Sequence, residues 1–281
     1  MRWEDGRESD NVEDRRGMPI GLAGGGVGAI AIVLIAMFFG VDPRALLQQV
    51  QQSEPASSSS VQRPAGQEDP MRKFVSVVLA DTEDTWRELF RNAGRQYVYP
   101  KLVLFTGAVQ SACGFAQAAV GPFYCPSDQR VYIDLSFYRE LRERFHAPGD
   151  FAQAYVIAHE VGHHVQNLLG ISEKVHAAQL HGSEARVHAL SVRLELQADC
   201  LAGVWAYHAD RMRHILEQGD VEQALNAAAQ IGDDRMQMRA RGYVSPESFT
   251  HGSSEQRVRW FKTGMETGSV KACNTFGSGQ V

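Results

Sequence analysis

Residues 18–41, MPIGLAGGGVGAIAIVLIAMFFGV, contain no charged side chain. About 20 consecutive apolar residues suffice to cross the hydrocarbon core of a bilayer as a helix, so we predict one transmembrane helix here. A cleaved signal peptide is the alternative. Its apolar stretch is usually shorter and ends in an A-x-A-like site, which the sequence FFGVDPR does not provide.

The distribution of arginines predicts the orientation of this helix. Four arginines lie within residues 1–16, whereas only two lie within residues 42–70. Positive charge is retained on the cytoplasmic side of a membrane. Residues 1–17 are therefore predicted to be a cytoplasmic leader, with the rest of the chain outside the cytoplasm.

Residues 42–70 have the composition of a linker. The part QQVQQSEPASSSSVQRPAGQEDP is rich in Gln, Ser and Pro and has almost no large apolar side chain, so burial cannot offset the entropy lost on ordering. We predict a flexible stalk, followed by one globular domain over residues 71–281. The net charge of -5, without any run of Lys or Arg, argues against a nucleic-acid partner. The oligomeric state is left open.

The domain has a mixed pattern that predicts a helix-rich α+β fold with a small sheet. KLVLF reads as a strand, and GPFYC and QRVYID read as a hairpin. A first helix is predicted over residues 82–93, with Asp81 as its cap and Trp86, Leu89 and Phe90 as its apolar stripe. Further helices are predicted after Asp134 and over residues 151–168 and 183–213.

All four cysteines lie in the domain that is predicted to be outside the cytoplasm, where disulfides persist. Four cysteines allow three pairings. Nearness in sequence favours Cys113 with Cys125, which leaves Cys200 for Cys273. A zinc site made of cysteines is the alternative, but the chain has no C-x-x-C spacing.

The segment AYVIAHEVGHH, residues 154–164, has the spacing of a metal site on a helix. His159 and His163 are four residues apart and so share one face, with Glu160 beside them as a general base. His164 points about 140° away from His159 at about 100° per residue. We interpret His164 either as a surface residue or as a residue that hydrogen-bonds to a metal-binding side chain without contacting the metal.

A catalytic zinc site requires a third protein ligand. Gln166 and Leu169 exclude the metzincin extension, which requires glycine and histidine there. In RLELQADCLAG, Glu195 and Asp199 share a helix face, so Glu195 is the candidate ligand and Asp199 the acceptor that orients a ligand histidine. Such a pair is otherwise a solvated helix face. Weaker candidates for the third ligand are His176, His181, Glu184 and His188.

Several sequence blocks resemble the neutral zinc metallopeptidase family of bacterial membrane-anchored proteins. They are HEVGHH, LELQADCLAG, GPFYCPSDQRVYIDLSF, HGSSEQRVRWF and ACNTF. The family in turn is similar to the gluzincins, which are zincin-like metallopeptidases. The resemblance implies His159, His163 and Glu195 as zinc ligands, Glu160 as the catalyst and Asp199 as the residue that orients a ligand. It also implies a bacterial cell membrane as the location.

These features predict a zinc metalloendopeptidase that hydrolyses peptides or unfolded protein segments, with Glu160 as base and then acid. His251 is the candidate hydrogen-bond donor to the oxyanion that forms during hydrolysis. The alternative is that His251 has no catalytic role and simply precedes a Ser-capped helix that starts near Glu255. Tyr132 is a second possible donor or simply a strand residue. The strand QRVYID is predicted to be the sheet edge that pairs with an extended substrate.

Two other classes of function are compatible with the same residues. A zinc hydrolase acting on a non-peptide amide would use the same metal chemistry. A non-catalytic, membrane-tethered module would keep the metal for structure, although it would not need Glu160. Two histidines and one carboxylate also suit iron, but zinc fits better outside the cytoplasm.

Overall fold

The computed structural model describes residues 1–17, 69–117 and 121–277. The predicted transmembrane helix of residues 18–41 and nearly all of the predicted stalk lie outside these ranges. Within the described residues, no helix is both long enough and apolar enough to span a bilayer.

The described residues form a helix-rich α+β fold, as predicted. The six strands are β1 (Val12–Asp14), β2 (Lys101–Phe105), β3 (Ala108–Ser111), β4 (Gly114–Gln117), β5 (Phe123–Cys125) and β6 (Arg130–Asp134). The eight α-helices are α1 (Pro70–Asn92), α2 (Ser136–Glu143), α3 (Asp150–Leu168), α4 (Ile171–Gln179), α5 (Glu184–Arg213), α6 (Asp220–Gln230), α7 (Asp233–Arg241) and α8 (Ser254–Thr267). Two short 3-10 helices complete them, Pro246–Ser248 and Val270–Cys273.

Four strands form the main sheet in the order β1-β2-β6-β5, and β3 and β4 form a separate hairpin. The predicted hairpin is present, since β5 pairs antiparallel with β6. The prediction that QRVYID is the edge strand is wrong. Strand β2 pairs in parallel with the other side of β6, so β6 is internal and β5 forms that edge of the sheet among the described residues.

The leader is part of the domain rather than a separate segment. Residues 1–16 and the described residues from 69 onward form one compact unit, and β1 pairs in parallel with β2 through Val12↔Leu102 and Asp14↔Leu104. The Ser9 amide donates to the hydroxyl of Ser76 at 3.0 Å. Because sheet hydrogen bonds require both strands in one place, a leader on one side of a membrane and a domain on the other does not match this arrangement.

Helix α1 begins much earlier than the predicted residue 82. Asp69 caps it by accepting from the amide of Arg72, and Pro70 occupies the first turn, where a missing N–H costs nothing. Asp81 is inside the helix, and its carboxylate accepts hydrogen bonds from Trp205 and Arg213. The predicted apolar stripe does contribute to the core, where Trp86 and Phe90 are buried.

Two glycines let helices α3 and α8 approach α5 closely. A Cβ at Gly162 of α3 would lie 2.9 Å from the carbonyl oxygen of Ala198, and one at Gly264 of α8 would lie 1.9 Å from that of Cys200. Both distances are too short for a Cβ atom, so neither position can hold a residue larger than glycine without moving the helices apart. The disulfide Cys200–Cys273 ties the chain end to the same part of α5. The approach of α3 to α5 brings the two predicted metal-binding motifs together.

Candidate metal centre

The structure brings His159, His163 and Glu195 together. Nε2 of His159 lies 3.2 Å from Oε2 of Glu195, and Nε2 of His163 lies 3.3 Å from Oε1 of the same carboxylate. The three potential ligand atoms all lie within 4.8 Å of one another. Helix α3 provides both histidines one turn apart, and α5 provides the glutamate, as the spacing predicts.

His159 is oriented from behind by a buried charged network. Its Nδ1 donates to Oδ1 of Asp199 at 2.8 Å, and Asp199 is fully buried. Arg257 donates to both oxygens of that carboxylate, at 2.9 and 3.0 Å, and the hydroxyl of Tyr155 also donates to it. With Nδ1 directed to Asp199, Nε2 of His159 is the ring nitrogen that faces Glu195, and it becomes available to a metal ion when its proton is displaced.

His163 is oriented by a neutral network. Both hydrogens of the Gln166 side-chain amide are used, one by the carbonyl of Leu194 at 2.7 Å and the other by Gln197 at 3.1 Å. The amide oxygen of Gln166 must therefore accept from Nδ1 of His163, which lies 2.9 Å away. This bond leaves Nε2 of His163 as a lone-pair donor.

The electrostatics of the centre favour a bound cation. Burial disfavours the charged form of His159, but Asp199 outweighs this effect and raises the pKa of the ring to about 10. Burial likewise opposes ionisation of Glu195, yet the two histidines hold its pKa well below the usual range. A site that holds a proton so firmly has the negative potential that a divalent metal ion requires. Two imidazole nitrogens and one carboxylate are a donor set that fits zinc.

Glu160 lies beside this donor set without belonging to it. Its side chain is almost completely buried and lines the same cavity as the two histidines. Burial raises the pKa of Glu160, an effect that the neighbouring histidines oppose. A carboxylate with a raised pKa is suited to accept a proton and to release it again.

His251 faces the same cavity from the loop before α8. Its Nδ1 lies 3.1 Å from Oδ1 of Asp233, whose other oxygen accepts from the amides of Thr250, His251 and Gly252. The pKa of His251 is raised, primarily by its hydrogen bond to Asp233. The alternative explanation also has a basis, because Ser253 caps α8 with a capping box. His251 is thus both next to a helix cap and held at the cavity by a carboxylate.

The cavity encloses about 690 Å³ and combines the metal-site residues with apolar walls. Strand β5 and the residues before it form one wall, with Pro122, Phe123 and Tyr124. Phe137 and Phe145 line another part. Tyr132, the second candidate donor, is a buried strand residue whose hydroxyl donates to Asp128 at 2.7 Å.

Other residues named from the sequence are placed differently. Of the two interpretations of His164, the one as a surface residue is wrong, because the side chain is completely buried. The one as a support for a ligand is not borne out by its ring contacts, which are with Tyr124 and Val98. Of the weaker third-ligand candidates, His176 lines the cavity and His188 contacts the carbonyl of Glu247. None of the four weaker candidates belongs to the described ligand cluster. The cysteines pair as Cys113–Cys125 and Cys200–Cys273, which excludes a cysteine zinc site.

Four residues of the centre were missed from the sequence: Tyr155, Gln166, Asp233 and Arg257. Gln166 had a usable signal, since it follows His163 by three residues on the same helix and could reach its ring. Tyr155 similarly precedes His159 by one turn. Arg257 contacts Asp199 of α5 and Tyr155 of α3, and Asp233 contacts the loop that carries His251. No local spacing indicates these partners, which lie far away in the sequence.

Helix α3 supplies the HExxH motif and α5 supplies a downstream glutamate with an acid one turn later, which together form a donor set that suits zinc. The model of the family described as "Putative neutral zinc metallopeptidase" matches residues 1–276. The chain belongs to this family, in agreement with the resemblance found in the sequence.

Relatives cover the chain almost completely. "Uncharacterized protein YpfJ" of Escherichia coli strain K12 is 50% identical over 288 residues, which is 99% of each chain. "Uncharacterized protein Rv2575" of Mycobacterium tuberculosis strain H37Rv is 38% identical over 257 residues, covering 86% of this chain and 85% of the relative. No solved structure matches this chain.

Proposed function

We propose that this protein is a zinc-dependent endopeptidase. The observation that carries the proposal is the convergence of His159, His163 and Glu195 with Glu160 beside them at a cavity. Zinc held by the three ligands would lower the pKa of a water molecule toward neutrality and polarise the substrate carbonyl. A purely structural site would not need the buried Glu160 carboxylate.

The residues of the chain have separate roles in the proposed hydrolysis. Glu160 takes a proton from the attacking water as the new carbon–oxygen bond forms. The carbon–nitrogen bond of the peptide then breaks, and Glu160 transfers the proton to the departing amine. His251, oriented by Asp233, donates a hydrogen bond to the developing oxyanion.

The wall formed by β5 supports a peptide as the substrate. Within the described residues, β5 pairs only with β6, so its other side can pair with an extended chain. Pro122, Phe123 and Tyr124 bring this edge to the cavity that contains Glu160. Extended peptides and unfolded protein segments can adopt the conformation that such pairing requires, whereas folded proteins cannot without opening.

The variant Glu160→Gln tests the proposed reaction. It keeps the size of the side chain but removes the base, so peptide hydrolysis should fall at least about 100-fold while bound zinc and the melting temperature are retained. Glu173→Gln, an exposed position on α4, is the matched control and should retain full activity. Retained hydrolysis in Glu160→Gln contradicts the assignment. Hydrolysis of a non-peptide amide but of no peptide by the wild type would change the substrate class.

We further propose that the leader and the metal domain lie on one side of the membrane, outside the cytoplasm. The pairing of β1 with β2 supports a common side, and the two disulfides support a compartment that permits them. This proposal replaces the predicted cytoplasmic leader. A single membrane crossing by residues 18–41 would place the two flanks on opposite sides, so this proposal retains membrane association of that segment but not the predicted transmembrane span.

Cysteines at Ser9 and Ser76 test this arrangement in intact cells. The two residues exchange two hydrogen bonds, each at 3.0 Å, so the double variant should form a cross-link upon mild oxidation. Mass spectrometry of the digested protein detects the linked peptides, and Ser9→Cys alone is the control. If the two flanks occupy opposite sides of the membrane, the cross-link cannot form.

A further inference from the structure

Tyr124 connects the edge strand β5 to the metal helix α3. Its hydroxyl oxygen lies 3.0 Å from Nδ1 of His164, and the side-chain amide of Asn167 donates to the same oxygen at 3.1 Å. His164 directly follows the ligand His163, so this contact links the strand to the helix next to the metal centre.

The hydrogen bonds of this group have only one consistent direction. The carbonyl of Val98 can only accept, and it lies 2.6 Å from Nε2 of His164. Nε2 therefore carries the ring hydrogen, Nδ1 accepts, and the Tyr124 hydroxyl donates to it. Each polar atom of the His164 ring is satisfied within the protein.

The three residues of β5 are each fixed by a different contact. The Phe123 ring stacks on Tyr132 of the neighbouring strand, with centroids 4.8 Å apart. Cys125 is bonded to Cys113. Tyr124 is the residue whose side-chain hydrogen bonds reach α3, so its hydroxyl sets the position of the strand relative to the metal ligands.

We propose that Tyr124, held by His164 and Asn167, is a positioning residue for extended substrates. It fixes β5 at the separation from α3 at which a peptide paired with the strand presents its carbonyl to Glu160 and the metal. This inference rests on the proposed peptidase function. It assigns the third histidine of HEVGHH to substrate alignment rather than to the metal or to proton transfer.

Kinetics of Tyr124→Phe provide the first test, because this change removes only the hydroxyl. The KM for an extended hexapeptide should rise about 3- to 10-fold, the value of one or two hydrogen bonds, with kcat within about twofold. Tyr243→Phe is the matched control, since it removes the hydroxyl of an exposed side chain that does not line the cavity, and it should leave both constants unchanged. An unchanged KM, or a loss confined to kcat, would overturn the proposal.

Inhibitor binding provides a second test that does not require turnover. Calorimetry would compare acetohydroxamate, which uses the metal alone, with a peptide hydroxamate that also extends along β5. Tyr124→Phe should weaken the peptide form about 3- to 10-fold, bind acetohydroxamate as well as the wild type does, and retain the same zinc content. Equal weakening of both compounds, or lost zinc, would show that Tyr124 supports only the metal centre. Absence of hydrolysis by the wild type would overturn the proposed function, whereas the positioning claim is decided by the two hydroxamates.

Discussion

The two histidines of the metal centre share one helix face but are held by different chemistry. His159 donates to Asp199, which is part of a buried ionic network with Arg257. His163 donates to Gln166, whose partners are all neutral. Both networks fix the same ring tautomer. The Asp199 carboxylate of the charged network also increases the negative potential at the site. The two networks should therefore differ in their contributions to protein stability and to metal affinity.

The largest effect is expected from Arg257→Met, which removes the guanidinium that binds both oxygens of the buried Asp199 carboxylate and leaves His159 as its only charged partner there. Breaking a buried ion pair on one side costs about 3–5 kcal/mol. We expect a loss of this size in urea unfolding of the zinc-free protein at neutral pH. Arg259→Met, an exposed position on the same helix, should change the free energy of unfolding by less than about 0.5 kcal/mol.

A double variant sharpens this prediction. Arg257→Met combined with Asp199→Leu removes both charges, so most of the lost stability should return, because a buried ion pair can be replaced by apolar side chains at little cost. A double variant that is less stable than Arg257→Met alone would show that the charge left on Asp199 is not the cause of the instability.

The next largest effect is expected on zinc affinity in Asp199→Asn. This change retains the shape of the side chain but removes the anion that accepts from His159. Loss of such a supporting partner reduces metal affinity about 10- to 100-fold. Titration with a competing chelator at fixed pH measures it, and a change below about threefold would contradict the role given to Asp199.

Gln166→Met should have a smaller effect on the same measurement. It removes one neutral acceptor from His163, which corresponds to a loss of about 3- to 10-fold in zinc affinity. The side chain keeps a similar volume, so α3 and α5 should still pack. If Gln166→Met lowered zinc affinity as much as Asp199→Asn does, the proposed difference between the charged and the neutral supporting network would be contradicted.

The last comparison concerns the pH dependence of zinc binding. The pKa of His159 is raised to about 10 in the metal-free centre, so this ring holds a proton at pH 7 that zinc must displace. Because rising pH removes the competing proton, zinc affinity should increase, by up to about tenfold per pH unit from this group. Asp199→Asn should flatten the dependence, whereas Gln166→Met should retain it. Calorimetry in buffers of different ionisation enthalpy counts the released protons.

Much of the centre could be predicted from local patterns. The spacing of His159 and His163 determines a shared face, and an acidic pair on an otherwise apolar helix singled out Glu195 and Asp199. The helices that carry them are long and strongly patterned, so their bounds agree closely with the structure. The favoured cysteine pairing also agrees, because closeness in sequence limits the choice.

The remaining features depend on contacts between distant segments. Strand β1 has only the three residues VED, and nothing in them indicates a parallel partner such as β2. For the same reason QRVYID could not be recognised as an internal strand, since one of its neighbours in the sheet belongs to an earlier part of the chain. Arg257 resembles any other arginine of an amphipathic helix until α8 is placed against α5.

Metal content of the purified protein tests the central claim most directly. Mass spectrometry should find about one zinc per chain in the wild type, a value set by a single three-ligand site. Glu195→Ala should lose most of this zinc, while Glu184→Ala, at the exposed start of the same helix, should retain it. A wild type without tightly bound zinc, or a Glu195→Ala variant that holds it equally well, would contradict the site formed by His159, His163 and Glu195.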